Sequence, residues 1–89
     1  MYYVYILYSS SLDKKYIGFT QNLKKRIPEH NAKKVPFTAK GTPWQLIYYE
    51  VFRSKQDAME EEKFLKSGKG RERLSFLLSQ TLQDIYTDR

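Results

Sequence analysis

Arg26 and His30 stand four residues apart in "LKKRIPEHN", residues 23–31. On a helix this spacing puts a guanidinium and an imidazole on one face, beside Leu23 and Ile27. An arginine fork suits phosphate oxygens, and an imidazole accepts or relays a proton near neutral pH. A third reactive group is Glu62. Projecting residues 55–66 at about 100° per residue sets Glu62 inside an apolar stripe of Ala58, Met59 and Leu65. Glu60 points away from that stripe and Glu61 lies near its edge. A carboxylate so placed is costly unless it pairs with a cation or binds a metal ion, and Lys63 and Lys66 are the local partners for a pair. The last group is phenolic. Tyr2, Tyr3, Tyr5, Tyr8 and Tyr16 are five of the eight tyrosines, gathered in two short apolar runs.

Composition limits what these groups can be. The chain has 89 residues, the size of one domain. It has no cysteine, which excludes a disulfide partner and a thiolate zinc site, and its one histidine excludes a multi-histidine metal site. No apolar run is long enough to span a membrane, and the N-terminus lacks a signal-peptide pattern, so a cytoplasmic location is expected. Sixteen Lys and Arg against ten Asp and Glu give a net charge of +6. Such a surface attracts polyanions, nucleic acid first among them, although a basic surface also serves solubility alone.

The elements that must position these groups follow from local patterning. Residues 2–8 read as a buried strand, and "SSLDKK" as a turn. Residues 15–19 read as the partner strand of a hairpin, where Gly18 marks a bulge or a close backbone approach. Asn22 caps a helix from Leu23, which Pro28 keeps short or kinked. "NAKKVPFTAKGTP" reads as a loop. "WQLIYYEVF", residues 44–52, is the strongest strand pattern and is expected at the centre of the sheet. Ser54 caps a helix to about Lys66, "SGKG" interrupts it, and a last helix starts near Arg71. Residues 79–89 extend that helix or form a loose tail. The expected fold is α+β: a three-stranded, mainly antiparallel sheet flanked by helices, in the order β-β-α-β-α-α.

With these pieces in order, the chain resembles the GIY-YIG endonuclease superfamily, and in particular its small stand-alone members. "YVY" (3–5) and "YIG" (16–18) resemble the signature strand pair, and "LKKRIPEHN" the motif after it. "SKQDAMEEEKFLKSGKGRE" (54–72) is similar to the helix that carries the family's glutamate. The likeness covers about residues 1–78, a single nuclease-like domain. It departs from the family at Tyr3, where a glycine opens the first triplet, and in having no asparagine after Asn31.

The resemblance implies a divalent-metal-dependent DNA endonuclease of low base specificity, with selection by DNA structure and roles in DNA repair or recombination left open. A non-catalytic nucleic-acid-binding domain of the same fold is the alternative. Tyr5, Tyr16, Arg26 and His30 are then the expected catalytic residues, and Glu62 the ligand of one Mg²⁺ or Mn²⁺. Either tyrosine is a candidate base, and phenylalanine at either position is expected to fold normally. Lys33, Lys34, Lys40, Lys66, Lys69, Arg71 and Arg73 are expected to track the DNA backbone.

Overall fold

The computed structural model describes residues 1–88. Strand β1 (Tyr2–Ser9) turns into β2 (Lys14–Thr20), followed by helix α1 (Leu23–Asn31). A 3₁₀ turn (Pro36–Gly41) leads into β3 (Trp44–Phe52), and helices α2 (Lys55–Leu65), α3 (Gly68–Leu77) and α4 (Ser79–Thr87) complete the chain. All strand pairs are antiparallel, in the order β2-β1-β3. The expected class and element order hold. Residues 79–87 form a helix of their own, and Arg89 lies outside the described residues.

Sheet order corrects one expectation. β3 was expected at the centre, but β1 occupies it. Val4 to Ser9 are all buried, whereas β3 carries Gln45 and Glu50 and is buried outright only at Trp44. A strand covered on both faces reads as an unbroken apolar run, and β1 has no charged residue from Tyr2 to Ser9.

Alternation along β1 divides the core. Val4 and Ile6 face Ala58, Leu65, Leu74 and Leu78 of the α2–α3 layer. Tyr5 and Leu7 face the other way, onto Trp44, Tyr16, Leu23 and Ile27. A register shift between Ile6 and Leu7 skips Ile47, so Ile47 and Tyr48 both pack on the first side. The sheet is therefore a middle layer, with α1 on one face and α2–α3 on the other.

The helix caps follow the sequence. The Lys25 amide donates to Asn22 Oδ1 (3.2 Å) and the Asp57 amide to Ser54 Oγ (3.3 Å). Pro28 lies inside α1, which spans only nine residues. The segment read as a loop contains the 3₁₀ turn, with Pro36 at its start. α3 begins at Gly68, ahead of the expected Arg71, because Ser67 Oγ accepts from the Gly70 amide and caps it (3.2 Å). A side chain on Gly70 would collide with the Phe64 carbonyl and Leu65, so this glycine lets α3 start hard against the end of α2.

Candidate active site

The centre of the site is a buried chain of hydrogen bonds. The Tyr5 hydroxyl meets His30 Nε2 at 2.7 Å, and His30 Nδ1 meets Thr38 Oγ1 at 2.7 Å. All three residues are buried. Thr38 Oγ1 also donates to the Val35 carbonyl at 3.3 Å. With the single Thr38 proton committed there, we assign the His30 proton to Nδ1, which leaves Nε2 to accept from the Tyr5 hydroxyl. Trp44 Nε1 donates to the Thr38 carbonyl at 2.7 Å and fixes the far end.

Local structure explains how three polar side chains fit in so small a core. Tyr5 pairs with Gly18 across the β1–β2 ladder. A Cβ at Gly18 would strike the end of the Tyr5 ring and come 2.9 Å from the Tyr16 ring. The glycine of "YIG" is thus the hollow that receives the tyrosine of the first strand, the close approach expected of it. The Tyr16 ring covers His30, with centroids 5.0 Å apart, and stands 6.3 Å from Tyr5. Tyr3, the residue in place of the family's glycine, faces Tyr49 at 6.2 Å.

Arg26 stands at the mouth of this chain. Its Nη1 pairs with Glu29 Oε1 at 3.2 Å, and its side chain is about one-third exposed. The guanidinium also lies by the Tyr5 hydroxyl. Burial is the main force on Tyr5 and pushes its pKa up to about 12, while Arg26 pulls it down and the charges of Tyr16 and Glu62 add to the rise. Tyr5 in turn holds Arg26 above its ordinary value, with Glu29 adding. His30 is held below its ordinary value, chiefly by burial and then by Arg26. The resting pair is a neutral phenol on a neutral imidazole.

Glu62 comes from α2, on the other face of the sheet, yet its charge reaches Tyr5. Its side chain is one-quarter exposed, and the carboxylate pairs with Lys66 at 3.3 Å, one of the partners anticipated from the sequence. Of the stripe that flagged it, Ala58 and Leu65 are buried, whereas Met59 is 46% exposed. No three His, Asp or Glu side chains converge among the described residues. A cation held here would take one carboxylate from this chain, leaving its other positions to water and substrate oxygens. Mg²⁺ and Mn²⁺ accept such a site, and an open i,i+4 pair with Lys66 yields readily to a divalent ion. The donor set therefore fits the ion.

The expected basic residues divide. Lys66 and Arg71 line a groove of about 850 Å³ that reaches Tyr16 and Phe37. Lys33 and Lys34 follow α1 and Lys40 lies in the 3₁₀ turn, all exposed, as is Lys69 in the first turn of α3. Arg73 instead lies near Tyr48 and Glu61 and bears on the ionisation of those two. Sequence reasoning missed Lys14 and Lys15, which line the same groove; their place just before "YIG" was the available signal. It also missed Thr38, for which no spacing gave a signal.

Strand pair, glycine hollow, helix and glutamate together define a class. The pattern of the GIY-YIG catalytic domain matches residues 1–75, and the chain belongs to that family. Among its relatives, a UPF0213 protein of Pediococcus acidilactici is 38% identical over 79 residues, 85% of this chain and 80% of that one. A UPF0213 protein of Streptococcus pyogenes serotype M1 is 45% identical over 71 residues, 78% of this chain and 75% of the relative. The solution NMR structure of a UPF0213 protein from Bacillus halodurans superposes with a TM-score of 0.54 at 33% identity, covering 86% of this chain and 85% of that one. No helix among the described residues is long and apolar enough to cross a membrane.

Proposed function

We propose that this domain hydrolyses phosphodiester bonds in DNA with a divalent cation at Glu62. The observation that carries the reading is the buried Thr38–His30–Tyr5 chain ending beside Arg26. Burying three polar side chains in a domain this small is costly unless each is satisfied. Here each is, and the chain leads one proton from the buried Tyr5 phenol, beside Arg26, to an imidazole.

In this reading Arg26, held by Glu29, presents its fork to the scissile phosphate. Tyr5 alone is a poor base, with its pKa at about 12. Its proton, however, has an acceptor in His30 Nε2, so Tyr5 can take a proton from water as it passes its own to the imidazole. Thr38 holds the tautomer that leaves Nε2 free. The Tyr16 hydroxyl makes no hydrogen bond among the described residues, and it orients the water or the phosphate from the groove. The ion at Glu62 supplies neutralisation of charge on the phosphoryl and leaving oxygens. Lys14, Lys15, Lys66 and Arg71 hold the strand by its backbone, without reading bases.

The test is incubation with single-stranded, duplex, flap and branched DNA, each with added Mg²⁺ or Mn²⁺. Metal-dependent products from at least one substrate are expected. Binding to all with cleavage of none would make the domain a nucleic-acid-binding module.

A further inference from the structure

Phe37 is 89% exposed, more than any other residue among the large apolar side chains of the described structure. An isolated exposed aromatic needs no explanation, but Phe37 is not isolated. Its ring stands 6.2 Å from Tyr16, which stands 5.0 Å from His30, so a file of rings leads from the buried site to solvent. Its position is held on both sides. Pro36 opens the 3₁₀ turn, and Thr38 is tied to His30 and to Trp44. The backbone under Phe37 is therefore as fixed as the site itself.

The groove that Phe37 borders carries Lys14, Lys15, Lys66 and Arg71 against one carboxylate, Asp13. A fixed, bare aromatic face over a cationic groove is the arrangement that binds a single strand, with the groove on its phosphates and the ring on a base. A duplex keeps its bases stacked inside and offers such a ring nothing.

We propose that Phe37 is a stacking platform for one unpaired nucleobase, placed beside the phosphate that occupies the site, and that it selects substrates with a single-stranded segment. The inference rests on the reading of the groove as a DNA-binding surface. It does not require that the DNA be cut.

The test is equilibrium binding in metal-free buffer of a short single strand carrying 2-aminopurine, and of its duplex. The parent is expected to prefer the single strand and to change the probe's fluorescence on binding. Phe37→Ala should weaken single-strand binding about tenfold, abolish the fluorescence change and leave the salt slope intact. Its duplex affinity should move by less than about twofold. Phe37→Trp should restore the preference. Equal losses on both DNAs, or no loss on either, would overturn the proposal, as would a parent dimer that Phe37→Ala turns into monomers, since a second copy would then cover the ring. A parent that binds through Phe37 yet never cleaves retains this inference and removes catalysis. A parent that cleaves, with a Phe37→Ala variant of unchanged preference, removes this inference alone. A parent that binds neither DNA removes both.

Discussion

Tyr5 and Tyr16 share one ring cluster but differ in what their oxygens touch. The Tyr5 hydroxyl is the partner of a buried imidazole nitrogen, so Tyr5→Phe strands an acceptor in the core. The expectation that phenylalanine folds normally at both positions therefore does not carry over to Tyr5. We expect Tyr5→Phe to lose about 1–3 kcal/mol of stability in urea denaturation and all detectable cleavage. Tyr16→Phe, with no internal hydrogen bond to lose, should unfold at the parent's midpoint and cleave more slowly. Tyr16→Phe cleaving at full rate would return that ring to packing. The sequence made Tyr5, Tyr16, Arg26, His30 and Glu62 legible because each breaks the pattern of its element or fits a spaced motif. Thr38 broke no pattern. Its contact with His30 spans a loop whose path depends on tertiary packing, and no local rule supplies that.

At the scale of elements, α1 ends in an arrangement with a measurable cost. The Lys34 amide donates to the Glu29 carbonyl at 3.0 Å and the Lys33 amide to the His30 carbonyl at 3.1 Å. This is the paired closure of a helix whose next residue turns left-handed. That residue is Lys33, at φ 61°. A side chain there is strained, and glycine is the usual occupant. Lys33→Gly should raise stability by about 0.5–1 kcal/mol, read as an upward shift of the thermal midpoint. A lower midpoint would mean that Lys33 makes contacts worth more than the strain. Helix starts were legible because caps are local chemistry, as Asn22 and Ser54 show. The centre of the sheet was not legible from aromatic content, since β1 and β3 each carry four rings. Glu50 alone argued against β3, and only the observed order gives β1 its two covered faces.

The whole molecule answers pH through two groups on opposite faces of the sheet. His30 is held below its ordinary 6.5, so below that pH the unfolded chain takes up the proton first and stability falls. Glu61, on the α2–α3 side, is pushed from 4.5 up to about 7, first by its contact with Glu50, then by burial and by the Glu50 charge. Glu50 Oε1 is buried with no donor, while its other oxygen accepts from Tyr48 at 3.0 Å. A protonated Glu61 supplies the missing donor. As pH rises from 4.5 to about 7 the unfolded chain sheds that proton while the native state keeps it, and stability falls. Glu61→Gln should therefore add on the order of 1 kcal/mol at about pH 8 and almost nothing at about pH 4, measured by urea denaturation at both. Charge acts at this scale too. Alanine at Lys14, Lys15 and Arg71 together should flatten the salt dependence of single-strand binding by about 0.7 per lost phosphate contact, more than alanine at Lys33, Lys34 and Lys40. Equal slopes would move the footprint out of the groove. The proposed metal-dependent cleavage has its ion at one carboxylate. Glu62→Gln forfeits only an exposed pair with Lys66, worth about 0.3–0.5 kcal/mol, so its fold should survive. Single-turnover cleavage of labelled DNA with added Mg²⁺ or Mn²⁺ should then fall about 100-fold or more, with DNA binding kept or tightened as a negative charge leaves the site. A Glu62→Gln protein that cuts at the parent's rate would contradict the account.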